Sequence, residues 1–558
     1  MGSDSDKPPS PSFLRLTGRR PANRLCLILS GLLSLLLVTH YLFPTSFFSR
    51  PSASPLQNYS NADLKSKNYL ANFNASEIGE NPFDFCPLYG VGDAIGKKYG
   101  PAALQKSRLH LGSGARMQRV VARAMAGQPV TISVIGGSIS ACHGAGDDPI
   151  SPKCYPSKFF QWWNTVFPHP ASELTNGAMR RTNSAYFGYC NSHHLPDSTD
   201  LVIIELDTDD SPNPETTETF ELLIRSILLR PDSPAILLLG HFSPQIHNAH
   251  GFAGSADHWH TLVAQFYDIP HITTKSILLP QYLSNPNSIK TYFVDPILAN
   301  AEGHDILADV VIAYMQSVVC GMWGEIKEGS WEGAGGIGGA GSVGGLFGGV
   351  GKRPGVPEPK DEGAGVGAGK VKGKDLSNAK AANDPHGALL AVPPGRMNTR
   401  PNAGRPYEEI APFCVSANDL INPLPPSLFY GSGWFAYHPS NNDGGARDLK
   451  MTSHYFYSTL PTSKLRIPIR IGAGDVAISF IQHPISQIGE GSSVECWVDD
   501  NYGGAKTLEN GWEGDEDRVE TRIIDKFVGR GSHFVECMLG GEEGVGVPPF
   551  KIVGVFAT

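Results

Sequence analysis

Between Gly329 and Gly373 the chain holds eighteen of its 63 glycines, interleaved first with Ala and Val and then with Pro and Lys. A segment so poor in large apolar side chains cannot offset the entropy of ordering its backbone. No periodicity survives there, so residues 324–405 read as a flexible Gly-rich linker. Whatever folds must do so on either side of it. The 558 residues allow two or three domains. With 41% apolar and 18% charged residues, a sizeable core is available and wholesale disorder is excluded. Acidic side chains outnumber basic ones by 54 to 45, for a formal charge of −9, which argues against a nucleic-acid partner.

Residues 25–43 (LCLILSGLLSLLLVTHYLF) contain no Lys, Arg, Asp or Glu. A helix of that length, rising about 1.5 Å per residue, just spans a hydrocarbon core of about 30 Å. Lys7, Arg15, Arg19, Arg20 and Arg24 precede it, and only Arg50 follows closely. The positive-inside rule therefore places residues 1–24 in the cytosol and everything beyond Pro44 in a lumen or outside the cell. The rival reading is a cleaved signal peptide, whose apolar core is usually only about 7–15 residues. Residues 44–85 are polar and read as a stem, with glycosylation sequons at Asn58 and Asn74. Cys26 lies in the anchor. The other eight cysteines, at positions 86, 142, 154, 190, 320, 414, 496 and 537, form no CxxC pair and suit disulfides in an oxidising compartment. Cys142 with Cys154 and Cys496 with Cys537 are candidate local pairs, although sequence does not fix connectivity.

Residues 86–323 alternate between two patterns. The runs 130–135 (VTISVI), 201–206 (LVIIEL) and 235–239 (AILLL) are short, apolar and continuous, as in strands buried on both faces. Between them, apolar residues at three- and four-residue spacing predict helices over 157–167 and around Phe220–Leu228. Helices are also expected over 258–267 and 304–319. Such alternation specifies a parallel sheet covered by helices, a three-layer α/β/α domain. Residues 406–558 change character to short β-rich segments, at 465–471, 476–481, 494–498, 519–524, 534–538 and 551–556, separated by Gly, Pro and Asp. That spacing reads as an all-β sandwich. Its aromatics Tyr430, Trp434, Phe435, Tyr437, Tyr455 and Tyr457 make either a sugar-stacking face or ordinary sandwich core and surface.

The chemistry centres on Gly136-Gly137-Ser138-Ile139-Ser140, directly after the first buried strand. A serine on a tight strand-to-helix turn stands at the carboxyl end of a parallel sheet, where ligands bind, with backbone N–H groups nearby to stabilise an oxyanion. With this turn, the chain resembles the SGNH (GDSL-type) hydrolase superfamily over about residues 105–323. It is most similar to fungal membrane-anchored proteins called capsule-associated. Ser138 matches the nucleophile of the first block. Asn176 matches the Asn of the second, but Arg181 stands where the oxyanion glycine is usual, and Gly177 is the nearest glycine. Asp209 occupies the place of the third-block Asn. The last block reads Asp295-Pro296-Ile297-Leu298-Ala299-Asn300-Ala301-Glu302-Gly303-His304, with Leu298 where the base histidine stands in the family.

The resemblance implies O-acyl ester hydrolysis or transfer on a cell-wall or capsular polysaccharide, in the Golgi or a neighbouring secretory compartment, with no cofactor or metal. Ser138 is then the expected nucleophile, with N–H groups at Ser138 and Gly177 as oxyanion donors, and Asp295 with His304 as a relocated acid/base pair. Arg180 or Arg181 is a candidate partner for Asp209, and Arg181 and His241 are candidate substrate contacts. His304 has a second reading as a packing residue at the start of the closing helix. The pairs His193-His194 and His258 with His260 read as polar surface or satisfied loop histidines rather than metal ligands. The alternative class is a catalytically impaired, glycan-binding or scaffolding protein, favoured by the residues at 181, 209 and 298.

Overall fold

The computed structural model describes residues 61–71, 81–328, 390–398, 409, 412–417, 430–437, 455–472, 474–515 and 517–558. The expected anchor at 25–43, the sequons at Asn58 and Asn74, and most of the linker lie outside them. The described residues belong to one compact unit.

The α/β part is built on a six-stranded sheet. Its strands are β1 (Arg108–His110), β2 (Thr131–Gly136), β3 (Glu173–Asn176), β4 (Leu201–Glu205), β5 (Ala235–Gly240) and β6 (His271–Thr273). They lie in the order β1-β6-β5-β4-β2-β3, all parallel except β1 against β6. The apolar runs of β2, β4 and β5 have two buried faces because successive side chains point to opposite sides. Leu201, Ile203, Leu237 and Leu239 join the core under α1 (Ala115–Met125), α2 (Tyr155–Val166) and α6 (Ala301–Glu328). Val202, Ile204, Ile236 and Leu238 join the core under α3 (Ser184–His194), α4 (Pro214–Leu228) and α5 (Asp257–Tyr267). This is the three-layer architecture expected from the sequence. Helix α6 is long and apolar enough to cross a membrane by length and composition, but its apolar residues are packed against α1 and α2, as in a core helix.

The C-terminal part is a sandwich of two sheets. One contains β7 (Phe413–Ser416), β9 (Phe435–Tyr437), β10 (Tyr455–Ser458), β12 (Val476–Pro484), β15 (Gly511–Trp512), β16 (Arg518–Asp525) and β18 (Phe550–Ala557). The other is ordered β14-β13-β17-β11-β8, from β8 (Tyr430–Ser432), β11 (Lys464–Ile471), β13 (Ser493–Val498), β14 (Lys506–Glu509) and β17 (Gly531–Leu539). Val476, Ile478 and Phe480 of β12 face the sandwich core, while Ala477 and Ile481 face the α/β part. Phe556 of β18 is fully buried between Tyr186 and Tyr189 of α3, its ring stacked on Tyr189 at 5.3 Å. The seven-stranded sheet thus has no solvent face over β12, and the two parts share one apolar interface.

Four disulfides are formed among the described residues. Cys142–Cys154 and Cys496–Cys537 are the local pairs considered above, the latter directly cross-strand between β13 and β17. Cys86–Cys320 ties the entry segment to α6, and Cys190–Cys414 joins α3 to β7 across the interface. Two stretches of the expected linker 324–405 pack against the α/β part. Helix α6 continues to Glu328, because Ile326 is still buried against the core. Residues 390–398 lie along the α/β part, where Arg116 Nη2 donates to Leu390 O at 2.7 Å and Arg225 Nη1 donates to Pro393 O and Gly395 O, both at 2.9 Å.

Candidate active site

At the carboxyl end of β2 the backbone must pass very close to the loop after β4. A Cβ on Gly136 would lie 2.4 Å from Ser140 Oγ, and one on Gly137 would lie 1.8 Å from Asp209 Oδ2. Only glycine leaves that space, which is why two precede Ser138. The serine is almost buried. Its N–H donates to Asp209 Oδ2 at 3.2 Å, its Oγ lies 3.5 Å from Asp209 Oδ1, and the N–H of Arg181 donates to that Oγ at 2.9 Å. Thr208 Oγ1 also donates to Asp209 Oδ2, at 3.2 Å. Burial pushes the Asp209 carboxyl up to about 7, with Asp210 adding to the effect while the Ser138 and Thr208 donors oppose it.

The N–H beside Ser138 comes from a residue that sequence reasoning did not choose for that role. Arg181 has φ of +53°, in the left-handed region where glycine is usual, and this turns its N–H toward the serine. Its guanidinium extends to the sandwich, donating from Nη1 to Asp517 O at 2.6 Å. Gly177 is not an oxyanion donor, since its N–H continues the sheet by donating to Val134 O at 3.0 Å. It is glycine because a Cβ there would lie 2.1 Å from His194 O. Asn176 cross-links the loops, donating to Ser140 O at 2.8 Å and Pro149 O at 2.9 Å. Arg180 does not pair with Asp209; it is held by Asp147 at 2.9 Å, which also contacts His143 Nδ1 at 2.8 Å.

The expected acid/base pair is not assembled. His304 is completely buried at the start of α6, its ring stacked on Tyr155, with Nδ1 accepting the Tyr155 N–H at 3.2 Å. Burial, reinforced by His241, holds its pKa down at about 3, so the ring is neutral. Asp295 is exposed and does not orient it; Oδ1 caps the turn, accepting from Ile297 N–H at 2.8 Å and Leu298 N–H at 2.6 Å. His241 is buried at the end of β5 and cannot offer an exposed contact to substrate, since its Nε2–H donates to Ile297 O at 2.9 Å. Burial lowers its pKa to about 4 despite that bond and the nearby Asp295.

A residue set aside in the sequence as a surface or loop histidine instead organises the loop after β4. His260 of α5 bridges Asp207 Oδ1 through Nδ1 and Asp210 Oδ2 through Nε2, each at 2.8 Å, and stacks on Phe220 at 3.8 Å. Both nitrogens face acceptors, so the ring is an imidazolium. Burial alone would discharge it, but the two carboxylates outweigh burial and push its pKa up to about 9. The clamp closes on both sides of Asp209. Asp210 Oδ1 also accepts the N–H of Ser184 at 2.7 Å, tying the loop to the start of α3. Beneath it, Glu205 is buried and held well above the usual carboxylate range by burial and by Asp209 and Asp207, with Oε2 accepting from Ser140 Oγ at 3.1 Å. Among the described residues no group of three or more His, Cys, Asp or Glu side chains is arranged to hold a metal ion.

In the sandwich, Trp434 is core, with Nε1 donating to Ser463 O at 3.3 Å. Phe435 and Tyr437 on β9 are exposed; Tyr437 stacks on Tyr455 of β10 at 4.6 Å, and Phe435 meets Tyr457 at 5.9 Å. The Tyr430 side chain lies outside the described residues.

Neither a protein-family model nor a curated sequence relative matches the chain. Two solved structures of a two-domain esterase active on acetylated mannans are similar to it. The one co-crystallized with mannopentaose is 16% identical with a TM-score of 0.54, covering 81% of this chain and 97% of that chain. The second is 18% identical with the same TM-score of 0.54, covering 81% of this chain and 98% of that chain. At these identities the likeness is one of fold, and it spans both the α/β part and the sandwich.

Proposed function

We propose that the protein is a serine-dependent carbohydrate O-acyl esterase or acyltransferase of SGNH type, acting on a cell-wall or capsular polysaccharide in the secretory pathway. The observation that carries this reading is the Ser138 hydroxyl, set at the carboxyl end of a parallel strand with the Arg181 N–H aimed at it from 2.9 Å. A carbonyl attacked by Ser138 Oγ develops its negative charge beside that fixed donor, which costs no reorganisation when the charge appears. The fold shared with the mannan esterase supports an esterase, and four disulfides support an oxidising compartment. The apolar segment at 25–43 supports a type II anchor, and the strip of Phe435, Tyr437, Tyr455 and Tyr457 supplies ring faces suited to pyranose stacking.

A second reading, a glycan-binding protein that has lost its chemistry, is favoured by Leu298 in the histidine's place and by His304 turned onto Tyr155. The test is acetate release from acetylated mannan, acetylated xylan and an aryl acetate by the full-length protein in detergent, beside Ser138→Ala. Fluorophosphonate labelling is followed in parallel. Turnover and labelling that vanish in Ser138→Ala support the serine enzyme. Absence of both in wild type, with retained binding to the polysaccharide, favours the second reading.

A further inference from the structure

We infer that Asp209 is the general base of this site, accepting the Ser138 proton where Leu298 stands in place of a base histidine. The assignment rests on the serine-esterase reading above.

A serine hydroxyl has one proton. The Arg181 N–H already occupies a lone pair of Ser138 Oγ, so the proton must point elsewhere, and the acceptor facing it is Asp209 Oδ1 at 3.5 Å. That separation is long for a ground-state hydrogen bond, as is common at catalytic groups before substrate closes the site. The carboxyl plane is fixed from its other side, where Oδ2 takes the Ser138 N–H and the Thr208 hydroxyl. The His260 clamp on Asp207 and Asp210 holds the loop that carries it. Among the described residues no histidine hydrogen-bonds to Ser138: His304 is on Tyr155, His241 on Ile297, His143 on Asp147 and His260 on the two flanking aspartates.

An ordinary carboxylate is too weak a base for this task, but one raised to about 7 by burial is matched to neutral pH. The charges around it leave the shift in place. Asp207 and Asp210 on its own loop share the single positive charge of His260 of α5, so a net negative charge remains beside Asp209, and the Glu205 carboxyl at the end of β4 is itself pushed well above the usual range by burial. From the loop after β3, Arg180 is taken by Asp147 and the Arg181 guanidinium reaches to the sandwich.

The chemistry balances without a further reagent. As Ser138 Oγ bonds to the acyl carbon, its proton passes to Asp209 Oδ1 and the carbonyl π pair moves onto oxygen beside the Arg181 N–H. Collapse breaks the bond to the sugar oxygen, which takes the proton from Asp209 and leaves an acyl-Ser138. Water, or a second sugar hydroxyl, then gives its proton to Asp209 as it attacks. Collapse of that intermediate releases the acyl product and returns the proton to Ser138 Oγ.

The rival role for Asp209 is a neutral carboxyl donating to the oxyanion in place of the usual Asn, and its pH sign is opposite. The experiment measures kcat/KM of the full-length protein in detergent on p-nitrophenyl acetate and acetylated mannan between pH 5 and 9. Wild type, Asp209→Asn and Ser138→Ala are compared, the last subtracted as background, with melting curves for each. A base gives a rate that rises through one ionisation near pH 7 and then levels. In Asp209→Asn that limb disappears and the rate drops on the order of 10²–10⁴-fold. A wild-type rate that falls above pH 7, or an Asn variant as active as wild type, overturns the base assignment while leaving the serine esterase intact. Wild type indistinguishable from Ser138→Ala overturns the esterase reading itself. Should Asp209→Asn fail to fold, the direction of the wild-type limb alone decides.

Discussion

His260→Gln removes the cation that holds the loop around Asp209, and its cost can be worked from the structure. The ring is nearly inaccessible, bonded at both nitrogens to carboxylates, and its pKa stands at about 9 against an ordinary 6.5. A shift of this size, at 1.36 kcal/mol per unit, corresponds to about 3 kcal/mol. Because the folded pKa is the higher one, the contribution is fully present below pH 6.5 and is lost as pH rises through 9. Urea unfolding of wild type and His260→Gln at pH 6, 7.5 and 9.5 is the assay. The gap in stability should be about 3 kcal/mol at pH 6, about 2 kcal/mol at pH 7.5 and close to zero at pH 9.5, where both proteins hold two carboxylates without a cation. A gap that stays constant across this range would refute the charged clamp and leave only a packing role for the ring.

Four other outcomes are expected. Gly137→Ala places a methyl on the Asp209 carboxylate, so acetate release should fall by at least about 10²-fold through displacement of the loop, with a lowered melting temperature. Phe556→Ala empties the interface between α3 and the sandwich and should cost about 3–5 kcal/mol in denaturant unfolding. His304→Asn should weaken stability yet leave the pH–rate profile unshifted, whereas loss of the ionisation near pH 7 would restore His304 as the base. His241 and His304 are both held below their ordinary pKa by burial, so unfolding takes up protons and stability should fall as pH drops below about 6.5. Unfolding midpoints between pH 7 and 5 check this, and a rise instead would contradict their burial as neutral rings.

The strands that carry the site were legible because β2, β4 and β5 are continuous apolar runs, and only a doubly covered sheet demands that. Helix α3 was not legible, for a related reason. Tyr186, Phe187, Tyr189 and Cys190 are all buried, because the sheet packs on one side of α3 and the sandwich on another, so no polar face remains to mark a helical period. At β3, only four residues long and partly exposed, there was too little pattern to detect. Ser138 and Asp209 could be placed from the residues around them. The donor beside Ser138 could not, because a backbone N–H belongs to every residue, and what singles out Arg181 is its left-handed φ rather than its side chain. His260 was equally hidden, since its two acceptors lie about fifty positions earlier and come together only through the sheet.

The Cys190–Cys414 bridge has a consequence for what happens when the chain is cut. A peptide bond broken anywhere between Cys320 and Cys414 yields two polypeptides, yet the sulfur link and the buried strand face keep them as one particle. Such a nicked form migrates as the intact protein until a reductant is added. Proteolysis in that stretch would leave Ser138 and the sandwich residue Asp517 in the same assembly, so release of the sandwich as a separate fragment requires reduction as well as cleavage.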